Sequence, residues 1–302
     1  MKGDRSLSDS QGMTGLPEVE ITVLTDRGRK RNMNEDCYSI VERDNLVIIS
    51  DGAGGHSQGD FASRVVVETM EAAYLGLDEA SLADLKLTKD LPPGLDEAAR
   101  RLIVSIWLAN FRLFKINESL GGERQNIKDK ILAVVCAINF RPGIACIAHI
   151  GDSRAYLIRD HKMVRLTTDH VSLAPINVNG KSGLKEFLSR AVGVEEGVPI
   201  DLRLERYRKN DIFLLCSDGL YKMIREKDIL ACLDQAGEDL GAAAKDMVDR
   251  ANGNGGVDNI TMSLSRVKSE AEGNADLPTS SMTVEAHKSQ KSFMGALKKI
   301  YA

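Results

Sequence analysis

The stretch that most limits what this chain can fold into runs from Leu46 to Gly59 and reads LVIISDGAGGHSQG. Four consecutive apolar residues, Leu46 to Ile49, suit a strand buried on both faces. The run stops at a carboxylate, Asp51, followed at once by Gly52, Gly54 and Gly55. A helical pattern then begins near Ser57, with Phe61, Ala62, Val65, Val66 and Met70 at helical spacing. Glycine lets backbone approach a ligand closely, and a carboxylate at a buried strand end suits a hard cation such as magnesium or manganese. An ordinary strand-to-helix turn with a capping Asp would show the same residues, so the other acidic turns must decide.

Those turns repeat the arrangement. The apolar segment Asp211 to Cys216 ends in Ser217-Asp218-Gly219-Leu220, and Asp258 stands just before a last strand, Ile260 to Val267. Glu35 and Asp36 open a short strand around Cys37 to Val41, after a cationic segment that holds Arg27, Arg29, Lys30 and Arg31. Most of these cations are ordinary solvated surface, but one Arg aimed at a phosphate would grip two oxygens in a bidentate fork. Asp152 lies in His149-Ile150-Gly151-Asp152-Ser153-Arg154, at a turn between two apolar strands. Like charges about 4 Å apart oppose one another by roughly 4 kcal/mol at an effective dielectric of about 20. If these acids converge, they need cations between them.

The 302 residues divide into a 1–17 segment expected to be disordered, a body over 18–267, and a 268–302 polar linker with a short amphipathic end. In that end Phe293, Met294, Leu297, Ile300 and Tyr301 fall on one helical face, which suits either an added core contact or a docking segment. Within the body a second helix is expected over Asp96 to Glu118, with Trp107 and Phe111 in its core stripe. Four short apolar segments, Ile131–Phe140, Ile144–Ile150, Ser153–Arg159 and Lys162–Leu166, read as an antiparallel meander. Thr167 to Gly197 reads as irregular, and so as functional or mobile. A net charge of -4 leaves no basic footprint for nucleic acid. Five widely spaced cysteines argue against a disulfide framework or a thiolate zinc site, and fit small core residues in a reducing compartment. With no apolar run near membrane-spanning length and no signal-peptide core, the expected location is cytoplasmic and without a membrane span.

Taken together, Gly28-x-x-Arg31-x-x-Asn34-Glu35-Asp36, Asp51-Gly52-x-Gly54-Gly55-His56, Gly151-Asp152-Ser153-Arg154, Ser217-Asp218-Gly219-Leu220 and Asp258-Asn259-Ile260-Thr261 resemble the metal-dependent PP2C (PPM) family of serine/threonine protein phosphatases, bacterial branch. The motifs stand in the family's order and span nearly the whole body. The resemblance implies an α+β fold, a four-layer α-β-β-α sandwich of two antiparallel sheets flanked by helices. It also implies a site for two Mn2+ or Mg2+ ions at one edge of the sandwich. Carried over residue by residue, Asp51 would bridge both ions with help from the Gly52 carbonyl, Glu35 or Asp36 would hold one, and Asp218 and Asp258 the other. Asp152 with Asp218 matches a third, weaker site, and Arg31 the arginine that grips phosphate. The implied partners are phosphorylated proteins, including a Ser/Thr kinase or its targets, acted on by a monomer.

The sequence also departs from the family. A Gly-Thr-Thr common in members is replaced by Lys128-Asp129-Lys130-Ile131-Leu132, and Ala53 stands where eukaryotic members carry a His proposed as general acid. His56 lies close by but suits a loop position. The middle of Thr167 to Gly197, the family's variable flap, has no typical pattern, so substrate choice stays open. A catalytically weak phosphoprotein-binding relative is the alternative, against which every expected acid is present.

Overall fold

In the computed structural model, residues 15–301 are described, apart from 55–57, 85, 88–90, 121–129, 179–180, 270–278 and 286–289. The chain begins with β1 (Val19–Asp26), β2 (Asp36–Val41) and β3 (Leu46–Ala53), followed by α1 (Gly59–Gly76), α2 (Glu79–Asp84) and α3 (Glu97–Ser119). Strands β4 (Leu132–Arg141), β5 (Ile144–Ile150), β6 (Arg154–Arg159), β7 (Lys162–Arg165), β8 (Val171–Val178), β9 (Lys181–Leu188), β10 (Ile200–Arg206) and β11 (Ile212–Cys216) come next. The order ends with α4 (Asp218–Tyr221), α5 (Glu226–Ala236), α6 (Leu240–Gly253), β12 (Ile260–Val267), β13 (Ser280–Val284) and α7 (Gln290–Ile300). Aspartates start two of the long helices: Asp96 accepts from Ala99 N–H at 2.8 Å and Asp239 from Ala242 N–H at 2.9 Å, each satisfying an amide left free in a first turn.

Two antiparallel sheets stack face to face, one in the order β1-β12-β11-β6-β7 and the other β13-β10-β5-β4-β3-β2. Their strands are apolar on both sides, so each sheet must be covered twice. Between the sheets, Val47, Ile49 and Phe140 meet Leu157, Phe213 and Leu215. The Phe140 and Phe213 rings lie edge to face at 5.2 Å. On the outside, α1 and α3 cover the six-stranded sheet through Val66, Met70, Leu102 and Ile106. Helices α5 and α6 cover the five-stranded one through Ile229, Leu233, Ala244 and Met247. This is the expected four-layer α-β-β-α sandwich. Trp107 and Phe111 are core residues, and Cys136, Cys146, Cys216 and Cys232 are buried free thiols.

Three local expectations are corrected. The four segments from Ile131 to Leu166 do not form one meander: β4 and β5 pair in the six-stranded sheet, while β6 and β7 belong to the five-stranded one. The chain changes sheets at Gly151–Ser153, where Gly151 has φ +106 and an added Cβ would lie 2.1 Å from Val134 Cγ1, so only glycine fits. Short apolar strands and tight turns look alike in sequence whether they pair or cross. Second, the region read as irregular holds the hairpin β8–β9, which stands out from the sheets with Leu173 and Leu184 exposed, so burial imposes no alternating pattern on it. Third, the stretch read as a polar linker holds a strand, while the amphipathic end takes the core-contact reading of the two left open. β13 extends the six-stranded sheet beside β10, and α7 packs on α1 and α3 with Phe293 and Ala296 buried and Phe293 against Phe111 at 5.1 Å. The helical apolar stripe found a complementary groove. The N-terminal 1–14 and His56 lie outside the described residues.

Candidate active site

The site is assembled by strand ends. Pairing of β2 with β3 sets Asp36 opposite Asp51. In the other sheet β11 pairs with β12, which brings Asp218, first residue of α4, beside Asp258, two residues ahead of β12. Asp152 enters from the crossing between the sheets. The result is a cleft of about 310 Å³ whose lining includes Arg31, Glu35, Asp51, Gly52, Asp152, Asp218 and Asp258. Leu188, the last residue of β9, reaches it from the hairpin.

Glu35 and Asp36, adjacent in sequence, take different places because neighbours in extended chain face opposite ways. Glu35 lines the cleft, and its Oε1 accepts from Gly59 N–H at 3.1 Å, at the start of α1, where free amides favour an anion. Asp36 lies behind, with Oδ2 accepting from Ser217 Oγ at 2.9 Å. Gly52 donates its N–H to the Glu35 carbonyl at 3.1 Å, and a Cβ there would lie 1.9 Å from Gly59 O, so no other residue allows this approach. Asn259 pins the loop that carries Arg31: Oδ1 accepts from Glu35 N–H at 2.9 Å, and Nδ2 donates to the Arg27 and Met33 carbonyls at 2.8 Å each. Arg31 Nη2 donates to Asp258 Oδ2 at 2.7 Å, with Glu35 Oε2 3.7 Å from Nη1. Lys222 Nζ pairs with Asp218 Oδ2 at 2.6 Å, and Tyr221 Oη donates to the Asp152 carbonyl at 3.1 Å.

Among the described residues, six carboxyl groups therefore face two cations, Arg31 and Lys222. Their titration shows the strain. Asp51 is held well above the usual carboxylate range, first by burial and then by the charges of Asp36, Asp218, Asp258 and Asp152. Burial, joined by Asp218 and Asp258 and opposed by the Ser217 hydroxyl, pushes Asp36 up to about 7. Asp152 rises to about 6 through burial and the charge of Asp218, relieved by Lys222. Asp36 Oδ1 and Asp218 Oδ1 are buried without a hydrogen-bond partner. Unpaired carboxylate oxygens, an all-oxygen donor set and excess negative charge together fit hard divalent cations.

Sequence reasoning named Arg31, Glu35, Asp36, Asp51, Gly52, Asp152, Asp218 and Asp258, with Glu35 and Asp36 undistinguished; the structure brings all of them to the cleft lining except Asp36, which it sets behind against Ser217. That reasoning did not single out Lys222, which stands four residues after Asp218 on a helical turn, a spacing that pairs opposite charges. It also gave no role to Leu188, since the hairpin was not foreseen, or to the amide of Asn259.

The sequence profile described as protein phosphatase 2C matches residues 25–258. The serine/threonine phosphatase stp of Listeria monocytogenes is 31% identical over 252 residues, 80% of this chain and 92% of that protein. A Streptococcus agalactiae serine/threonine phosphatase structure superposes with a TM-score of 0.66 at 24% identity, covering 83% of this chain and all of that one (100%). The catalytic domain of the serine/threonine protein phosphatase PstP, in complex with two manganese ions, gives a TM-score of 0.61 at 25% identity, covering 83% of this chain and 99% of that one. With the profile running from the end of β1 to Asp258, and the motif acids gathered in one cleft, the chain belongs to the protein phosphatase 2C family.

Proposed function

We propose that this protein removes phosphate from phosphoserine and phosphothreonine in proteins, by direct attack of a metal-activated water. The observation that carries the reading is the meeting of carboxylates from both sheets in one cleft, with buried unpaired oxygens on Asp218 and on Asp36 just behind it. Asp51, with the Gly52 carbonyl and Glu35, would hold one manganese or magnesium ion; Asp51, Asp218 and Asp258 would hold a second. Asp36 backs this set from behind, and Asp152 with Asp218 would hold a third, more weakly, because fewer carboxylates reach it. Held by these residues, such ions would supply a more acidic water and offset charge on the phosphoryl group. Arg31, on the rim and 45% exposed, has N–H donors beyond the one given to Asp258 and can orient a phosphoryl oxygen. Asn259 keeps the Arg31 loop in place while substrate enters.

The related phosphatases support the substrate class, and the net negative charge favours a protein over a nucleic-acid partner. A Ser/Thr kinase or its targets would supply the phosphorylated protein, and we read the enzyme as a cytoplasmic monomer. Among the described residues no helix is long and apolar enough to cross a membrane. The deciding experiment compares hydrolysis of a phosphothreonine peptide and of a nucleotide diester, with manganese and with chelator. Peptide turnover that needs manganese is expected. Full activity in chelator, or preference for the diester, would overturn the reading.

A further inference from the structure

Behind the cleft lies a second group of titratable side chains, His149, His170 and Asp201, whose ligand-capable atoms all fall within 4.8 Å of one another. Their hydrogen bonds speak against a metal between them. A backbone amide can only donate, so His170 Nδ1, 2.9 Å from Gly151 N, is an acceptor. The ring proton is then on Nε2, which donates to Asp201 Oδ2 at 3.0 Å. A histidine that binds metal through one nitrogen donates from the other; here the amide of Gly151 has taken that place.

The same bonds fix one turn with unusual thoroughness. His170 holds Gly151 twice, through the ring and through its own N–H, which donates to the Gly151 carbonyl at 2.9 Å. The ring is buried and stacks on His149 with centroids 4.6 Å apart and planes 14° apart. His149 Nε2 is in turn 3.0 Å from the Thr168 carbonyl. Asp201 is locked from its far side, where Oδ1 accepts from Arg190 Nη1 at 2.7 Å and from Thr283 Oγ1, on β13, at 2.9 Å. Burial, offset by the Asp201 bond, keeps His170 below its ordinary value, in keeping with a neutral ring. Gly151 is followed directly by Asp152, so whatever fixes the glycine aims the carboxylate.

We infer that His170 is a positioning residue: with Asp201 behind it, it fixes the Gly151–Asp152 turn and so sets how firmly Asp152 holds a cation beside Asp218. This rests on the reading of Asp152 as a cation ligand given above. It links the base of the β8–β9 hairpin, which starts one residue after His170, and the C-terminal strand to the weakest ion of the site.

The test titrates manganese into the full chain and its variants, reading both peptide turnover and, without substrate, ion number and affinity by calorimetry. His170→Phe keeps the ring and its stack but removes both nitrogens; His170→Asn keeps an acceptor near the place of Nδ1. The Phe variant is expected to need about 10-fold more manganese for half-maximal turnover, on the scale of an outer-shell loss. It should also lose the weakest binding event and keep the tighter ones, while the Asn variant recovers most of the affinity. Asp152→Ala run alongside separates the two readings. A raised requirement there, with an unchanged one in His170→Phe, would overturn the positioning role alone, even if the melting temperature falls. An unchanged requirement in Asp152→Ala would overturn the cation reading beneath it. Should His170→Phe not fold, Asp201→Asn, at a partly exposed strand position, carries the same expectation and the same overturning result.

Discussion

Asp51 and Arg31 show how one side chain can be read from sequence and another only in part. Asp51 was legible because an acid that ends a buried apolar strand and precedes glycine has few structural duties, and Asp218 repeats the pattern. Substituting Asp51→Asn should abolish turnover and the rise in melting temperature that manganese gives the parent, since ligand binding to the folded state stabilises it by mass action. Retention of that rise would exclude Asp51 as a ligand. For Arg31 the sequence offered four cations within 27–31, and only the fold showed which one reaches Asp258. Arg31→Lys should lower kcat/KM by about 10-fold or more while manganese affinity stays within about twofold, because Lys cannot make the planar two-point contact. Equal kcat/KM would return Arg31 to the solvated surface. The split between Glu35 and Asp36 was not legible, since spacing says nothing of which neighbour faces the cleft. Ser217, which holds Asp36 from behind, gives a matching test: Ser217→Ala should weaken manganese binding by about 10-fold to 100-fold with the fold intact, as read by calorimetry.

Elements were legible where burial imposed a period and obscure where it did not. Helices α1 and α3 and strands β3, β4 and β5 emerge from their apolar patterns because each is covered on its packed faces. The β8–β9 hairpin escaped since its exposed strands obey no such pattern, and β13 escaped because an edge strand of five residues carries little periodicity. Helix α7 was recognised as amphipathic, but its partner groove between α1 and α3 is a property of three elements together. That packing yields a prediction at the scale of the element. Phe293→Ala removes a buried ring from its contact with Phe111 and should cost about 3 kcal/mol. It would be measured as a lower denaturant midpoint with an unchanged slope. A loss below about 0.5 kcal/mol, the range of ordinary surface changes, would show that α7 does not belong to the cooperative unit.

At the scale of the whole molecule, the crowding of acids makes a contribution to stability whose pH dependence runs in an unusual direction. Unfolded Asp titrates near about 3.9, whereas Asp152 and Asp36 in the fold titrate near about 6 and about 7. Between these values the two acids bind more protons in the folded chain than in the unfolded one, so without metal their contribution to stability is greatest at the acid end and falls as pH rises toward 7, against an opposite contribution from His149, which burial lowers to about 4. Metal replaces those protons. The melting-temperature gain from manganese should therefore be larger at pH 8 than at pH 5.5, and binding at pH 6 should release roughly one proton or more, seen by calorimetry in buffers of different ionisation heat. A gain that is largest at acid pH would contradict the assigned titrations. The acids also come from both sheets, Asp36 and Asp51 from one, Asp218 and Asp258 from the other, while at the opposite end the sheets are joined by the 207–211 link and by Arg159 Nη2 donating to the Arg206 carbonyl at 2.9 Å. Cations among them would act as a rivet driven through one end of a two-leaf stack. Hydrogen exchange should then slow on adding manganese mainly at amides near the cleft ends of β3, β11 and β12, leaving the far ends of the same strands to open at their former rate.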